Sequence, residues 1–164
     1  MTTVTGQLQA IVGPEGVRER TPLGALTTFG VGGPADWLVE PRSRAALEAV
    51  LRLAALHDLP VTVLGGGSNV LVADAGVRGM VVRPRLTGIS EPVSGRVRAE
   101  AGGTINGLVR WLIGRGLAGL EALGGFPSTV GGAVFMNAGC YGTEIKDVLR
   151  SARLVELDGH RRRI

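Results

Sequence analysis

Glycine narrows what this chain can become more than any other feature: 27 of its 164 residues, more than twice the usual share of about 7%. Each glycine costs conformational entropy on folding, so such a density requires either many tight turns or backbone that must approach a ligand closely. The distribution is uneven. Twelve glycines fall between Gly102 and Gly142, and three stand together as Gly65-Gly66-Gly67.

Hydrophobic periodicity places the elements between these glycines. Residues 1–20 show no period and read as a loose lead-in with room for a short helix. Ala35–Glu40 reads as a strand ended by Pro41. Ser43 is placed to cap a helix in which Leu47, Val50, Leu51, Ala54 and Ala55 recur at helical spacing until Pro60. Val61–Leu64, Val70–Val72 and Met80–Arg83 read as strands, with a turn at Asp74-Ala75-Gly76. Leu86–Gly95 is polar and turn-rich and reads as the boundary between two subdomains. Val97–Ala101 alternates as a half-buried strand. Thr104 caps a helix through Leu108, Trp111 and Leu112, with Gly116 just past its end. Gly119–Gly142 has little periodicity, and Val148–Leu157 reads as the last clear strand. Asp158-Gly159 favours a two-residue hairpin turn, from which His160–Ile164 begins the return. A second hairpin strand this short leads to the expectation that the sequence is truncated. The expected organisation is a lead-in at 1–20, a first subdomain at 21–85 and an incomplete second subdomain at 86–164.

Composition removes several function classes. No apolar run approaches the ~18 residues that cross a bilayer, and Met1–Gly13 carries no Lys or Arg of the kind that leads a secretory signal. The expectation is a cytoplasmic protein without a membrane partner. Net charge is +4, but Arg161, Arg162 and Arg163 alone account for three of those charges. Aromatic residues make up only 4%, so basic groups interleaved with stacking platforms are not in the sequence, and no nucleic-acid partner is expected. Charge at an edge strand also blocks unwanted strand pairing. Cys140 is the only cysteine, which rules out an intrachain disulfide, and with His57 and His160 it does not make a Cys/His zinc site. Lys146, the only lysine, follows Ile145, so there is no P-loop.

Two glycine-rich motifs carry chemistry. Gly65, Gly66, Gly67, Ser68 and Asn69 directly follow a strand, and their backbone N–H groups and neutral side-chain donors have the composition of a phosphate cradle. The same run also serves as a plain strand–turn–strand loop, and it lacks the last glycine of the Rossmann fingerprint. The second motif runs from Gly124 to Gly142 and reads Gly-Gly-Phe-Pro-Ser-Thr-Val-Gly-Gly-Ala-Val-Phe-Met-Asn-Ala-Gly-Cys-Tyr-Gly. Small residues with intermittent donors suit a large planar cofactor and its pyrophosphate; equally, they suit a core turn where helix and sheet pack closely. Thr27–Ala35 adds a third glycine-containing loop ahead of a strand. Trp37 and Trp111 read as core anchors, and Cys140 as a small packed residue.

In this order and at these separations, the three motifs resemble the flavin-binding domain of the UDP-N-acetylenolpyruvoylglucosamine reductases, from about Thr21 to Leu157. The resemblance implies an α+β, two-subdomain FAD-binding fold of the p-cresol methylhydroxylase/vanillyl-alcohol oxidase type, truncated at its C-terminus, with FAD as cofactor, NADPH as hydride donor and a UDP-sugar as substrate. It assigns Gly65, Gly66, Gly67, Ser68 and Asn69 to the FAD pyrophosphate. It places Pro127, Ser128, Thr129, Gly131, Gly132, Asn137, Gly139 and Cys140 along the flavin and its ribityl-phosphate chain. The sequence departs from the family pattern at Thr27 (commonly Asn), Phe126 (Ile), Ser128 (Gly) and Cys140 (Ala). Serine at 128 is the departure of most consequence, because glycine there can adopt a conformation that serine finds costly. The family's catalytic Arg, Ser and Glu are implied to lie beyond the position of Ile164, the last two in a separate substrate domain, so no catalytic residue is assigned here. A stand-alone flavin or nucleotide carrier, and another oxidase of the same fold, are the alternative readings.

Overall fold

The computed structural model describes residues 3–163. Two compact units divide the chain: the first contains the chain up to Arg85 and the segment from Arg153 onward, the second Leu86–Ala152. The sequence reading places everything after residue 85 in the second unit; the final segment instead clusters with the first.

In the first unit the lead-in is regular structure. Helix α1 (Val4–Val12) starts at Thr3, whose hydroxyl accepts from the Gly6 N–H, and β1 (Val17–Pro22) follows. Then come β2 (Pro34–Val39), α2 (Arg44–Leu56), β3 (Val61–Val63) and β4 (Val77–Val82). The sheet order is β1-β2-β4-β3; β1 runs antiparallel to β2, and β4 is parallel to both of its neighbours. Ser43 caps α2 by accepting from the Ala46 N–H at 3.1 Å. Because side chains alternate across a strand, the sheet feeds two cores. Val39, Met80 and Val82 pack with Leu8 of α1 and with Val50, Leu51 and Ala54 of α2. Leu38 and Val81 point the other way and pack with Leu23, Leu64 and Val72, which belong to loops. One face is therefore covered by helices and the other by loops, and the glycine-rich segments lie among those loops.

Val70–Val72 does not form the expected strand. Val72 is buried against the loop-covered face of the sheet, so the segment crosses that face and has no neighbouring strand to bond. Where β2 meets β4, two steps along β2 (Ala35 to Trp37) match three along β4 (Val77 to Met80). Gly79 makes this bulge possible. Its φ is +82°, and an added Cβ would stand 2.4 Å from the Pro60 carbonyl oxygen.

The second unit opens with the hairpin β5 (Ile89–Val93) and β6 (Arg96–Ala99). The stretch read as a boundary thus carries a strand of its own. Helix α3 (Ile105–Ile113) begins at Thr104 as expected, and α4 (Val130–Phe135) begins at Thr129. The short hairpin β7 (Gly139–Cys140) and β8 (Thr143–Glu144) leads into α5 (Ile145–Val148). The core of this unit is Ile105, Val109, Leu123, Ala133, Ala138 and Ile145.

Helix α5 also shortens the strand expected at Val148–Leu157. Buried Ile145 and an Asp147 carboxylate that accepts from the Glu144 N–H at 2.8 Å nucleate a helical turn first. Only Arg153–Val155 (β9) is strand, paired with β10 (Arg161–Arg163). The hairpin between them forms, but its loop has three residues, Leu157, Asp158 and Gly159, instead of the expected two: the Glu156 N–H bonds the His160 carbonyl at 2.8 Å, the Gly159 N–H bonds the Glu156 carbonyl at 2.9 Å, and Gly159 takes the left-handed position at φ +85°. Gly159 lies against α2, where a Cβ would meet the Glu48 carbonyl oxygen at 2.9 Å, and this contact helps tie the hairpin to the first unit.

Among the described residues no helix is long and apolar enough to cross a membrane, and no group of three His, Cys, Asp or Glu side chains is placed to hold a metal ion.

Candidate functional site

In the first unit, β3 ends and the chain turns into Gly65–Asn69 after a last sheet bond from the Leu64 N–H to the Val82 carbonyl at 2.9 Å. Gly67 locks this loop in place. It is buried at φ +70°, its carbonyl accepts from the Thr28 N–H at 2.9 Å, and an added Cβ would stand 2.0 Å from the Leu26 carbonyl oxygen. Two of the sequence motifs, Gly65–Asn69 and the loop beginning at Thr27, therefore touch through a contact only glycine permits. The Thr27 hydroxyl holds its own loop, within 3.1 Å of the Gly24 carbonyl and 3.3 Å of the Val31 carbonyl. The loop's main-chain donors point elsewhere. Among the described residues, the N–H groups of Gly65, Gly66, Gly67 and Ser68 have no acceptor within the chain. Four consecutive amides without an acceptor in the chain, on a turn where Gly66 is exposed and Gly65 and Ser68 are partly so, have the donors to meet an anion.

In the second unit, Pro127–Gly132 is arranged differently. Thr104 and Thr129 pair as an antiparallel bridge, so α3 and α4 start side by side. The Ile105 N–H bonds the Ser128 carbonyl at 2.9 Å, the Val130 N–H bonds Gly103 at 2.8 Å, and the Gly131 N–H bonds Ala101 at 2.9 Å. The Gly132 N–H is capped by the Thr129 hydroxyl at 3.2 Å. The first amides of α4 are thus used inside the chain. Glycine at 131 answers to close packing, since a Cβ there would lie 2.9 Å from the Ala101 Cβ. Ser128 is not among the residues with positive φ, so serine stands there without left-handed strain. Pro127 is exposed at the surface of the same turn. Thr104 is legible in the sequence as a helix cap, but nothing there marks Ala101–Thr104 as the partner of this turn, although Gly102-Gly103-Thr104 is also a small-residue run.

Asn137, Gly139 and Cys140 sit together beyond α4. Asn137 has φ +46°, a left-handed conformation that Asn tolerates better than most residues. Its side-chain Nδ2 donates to Glu144 Oε2 at 2.9 Å, and its Oδ1 accepts from the Lys146 N–H at 3.0 Å. Both ends of the amide are therefore engaged by the arm of the hairpin that follows. Gly139 faces that arm so closely that a Cβ would meet Glu144 Cγ at 2.8 Å. Cys140 pairs with Thr143 and packs against the core, while Tyr141 (φ +49°) and Gly142 (φ +80°) make the two-residue turn with Tyr141 almost fully exposed. Glu144 and Lys146, which complete this arrangement, carry no signal in the sequence.

The Lys146 ammonium, hydrogen-bonded to Glu144, together with the Asn137 amide, holds the Glu144 carboxyl below the usual carboxylate range. A depressed carboxylate pKa contributes stability that is present above the unfolded value, near 4.5, and lost as pH falls through the folded one. The pair is exposed, so the effect is small and local. Hydrogen-exchange protection of the β7–β8 amides is expected to fall below about pH 4.5, and Glu144→Gln is expected to remove that pH dependence. Protection that stays flat in the parent chain through the same range overturns this assignment.

The chain matches the FAD binding domain family over residues 34–164. It is 48% identical over 143 residues to the UDP-N-acetylenolpyruvoylglucosamine reductase of Rubrobacter xylanophilus, an alignment covering 83% of this chain and 48% of that protein. The crystal structure of UDP-N-acetylenolpyruvylglucosamine reductase from Thermus caldophilus superposes with a TM-score of 0.73 at 36% identity, over 90% of this chain and 52% of that one. The crystal structure of p-cresol methylhydroxylase superposes with a TM-score of 0.65 at 15% identity over 98% of this chain and 34% of that one, a likeness of fold. The chain spans about half the length of the curated relatives it matches.

Proposed function

Because this chain belongs to the FAD binding domain family, we propose that it is the cofactor-holding portion of a UDP-N-acetylenolpyruvoylglucosamine reductase, a cytoplasmic enzyme that uses NADPH to convert UDP-N-acetylglucosamine enolpyruvate to UDP-N-acetylmuramate for cell-wall precursor synthesis. The fold is the α+β flavoprotein fold of the p-cresol methylhydroxylase type. FAD is the cofactor of the family.

One observation carries the reading: the unbonded amides of Gly65, Gly66, Gly67 and Ser68, in a turn pinned by the Gly67 contact with Leu26. This turn fits the pyrophosphate of a dinucleotide, because main-chain donors meet an anion without bulky side chains and without charge of their own. Bound FAD would supply the two-electron chemistry, accepting hydride from the reduced nicotinamide and passing it to the enolpyruvyl double bond, which also gains a proton. The residues of this chain do the holding. Gly65–Ser68 orient the anion. In the second unit, Pro127, Ser128, Thr129, Gly139 and Cys140 are the small or uncharged positions that the family likeness assigns to the flavin. The amides of Gly131 and Gly132 are committed to Ala101 and Thr129, so those two residues contribute close packing to the site.

The purified chain is expected to retain flavin absorbance after incubation with FAD and removal of free flavin by gel filtration. The groups that stabilise enolate charge and deliver the proton are expected outside this sequence. The chain alone is accordingly expected to show no UDP-sugar-dependent oxidation of NADPH. A folded but colourless protein overturns the assignment of the cradle; steady turnover with the UDP-sugar overturns the assignment of the catalytic groups elsewhere.

A further inference from the structure

We propose that Asn137 and Glu144 are a positioning pair: their side-chain hydrogen bond fixes the Gly139–Glu144 hairpin in the shape that receives the cofactor. The inference rests on the flavin reading above and assigns a different role to Asn137 within it.

The geometry is specific about what Asn137 does. A primary amide has one acceptor oxygen and an NH2 group with two donor hydrogens. Here the oxygen accepts from the Lys146 N–H at 3.0 Å and the nitrogen donates to Glu144 Oε2 at 2.9 Å. Glu144 ends β8 and Lys146 is the second residue of α5, so one side chain ties the far arm of the hairpin back to the end of α4. Glu144 is in turn held by the Lys146 ammonium, which contacts the same oxygen, Oε2, that accepts from Asn137. The near arm has no freedom of its own. Gly139 lies against Glu144 with no room for a Cβ, and the two-residue turn requires positive φ at both Tyr141 and Gly142. If the Asn137–Glu144 bond is lost, the hairpin's far arm pivots on α5 and carries Gly139 and Cys140 with it.

The polarity of the bond makes the idea testable by exchange. Asn137→Asp keeps the acceptor for Lys146 but sets a carboxylate against the Glu144 carboxylate. Glu144→Gln alone keeps an acceptor oxygen for Asn137. Combined, the two substitutions restore a donor–acceptor pair with the direction reversed, the new amide at position 144 donating to the new carboxylate at position 137. Asn137→Gly keeps the left-handed backbone and deletes both bonds.

FAD dissociation constants, measured by flavin fluorescence on the full chain, are expected to rise about tenfold or more in N137D and N137G, to change less than about threefold in E144Q, and to return to within about threefold of the parent in the double variant. An N137G protein that binds FAD like the parent overturns the proposal, because only the backbone conformation then matters. So does a double variant no better than N137D, because the amide then acts on the ligand directly. If the parent chain itself takes up no FAD, it is the flavin assignment that falls. Exchange of the Lys146 and Thr143 amides without flavin then decides the pair. Faster exchange in N137G with parent-like exchange in the double variant upholds it; equal exchange in the parent and all four variants overturns it.

Discussion

Replacing Gly67 with alanine is expected to abolish flavin retention and to destabilise the first unit by about 3 kcal/mol. Two costs add. A non-glycine residue at φ +70° pays roughly 1–2 kcal/mol for the left-handed conformation. The new Cβ would then stand 2.0 Å from the Leu26 carbonyl oxygen and 2.9 Å from Thr27 Cα, both main-chain atoms that cannot rotate away. Overpacking of this kind costs roughly 1–3 kcal/mol more. Relief requires the loop to lift off Leu26–Thr28, which breaks the Thr28–Gly67 bond and turns the amides of Gly65–Ser68 out of register with a bound anion. Gly30→Ala is the control. Gly30 has nearly the same φ, +71°, but nothing lies within 4 Å of the Cβ position, so only the conformational cost of about 1 kcal/mol applies. Urea midpoints and flavin retained after gel filtration read both effects. A G67A protein that keeps its flavin and matches G30A in stability would sink the account of the cradle.

Gly33→Ala is expected to be at least as destabilising, about 3 kcal/mol or more, with a different effect on the ligand. Its Cβ would lie 2.0 Å from the Asp74 carbonyl oxygen and 2.6 Å from the Gly76 nitrogen, and a Cβ added at Gly76 would lie 2.0 Å from the Pro34 carbonyl oxygen. These two glycines let the chain entering β2 and the chain entering β4 pass against each other. The Gly33 and Gly76 N–H groups share the Ala73 carbonyl at 3.0 and 2.9 Å. No residue of this crossing belongs to the Gly65–Ser68 turn. At a temperature where the variant is mostly folded, its FAD affinity is therefore expected to match the parent once the unfolded fraction is taken into account. Loss of affinity beyond that fraction, in a protein shown to be folded, would mean that the crossing reaches the ligand.

These substitutions separate two jobs that look alike in the sequence. Gly65-Gly66-Gly67 and Gly131-Gly132 are both short glycine runs beside Ser or Thr, and both read as donors to an anion. In the folded chain the first run leaves its amides unbonded, whereas the second spends them on Ala101 and Thr129. Which amides are free depends on what the partner strand or turn supplies, and Ala101 is thirty residues away from Gly131. Asn137 is a comparable case: the motif contains it, but its two partners lie in an arm whose approach depends on Gly139 having no side chain.

The starts of α2 and α3, the place of the last hairpin and the family were legible in the residues alone. Ser43 and Thr104 stand before their helices because hydroxyl caps act on the next turn of the same segment. The turn at Asp158-Gly159 and the apolar stripe of α2 are likewise local. Three outcomes emerge only once the chain is folded: the lead-in is a helix and a sheet strand, Val70–Val72 crosses a face instead of joining the sheet, and the chain after Arg153 clusters with the first unit. Those outcomes turn on pairing and close approach between segments far apart in the chain. A period or a motif within one segment carries no record of the partner it will meet.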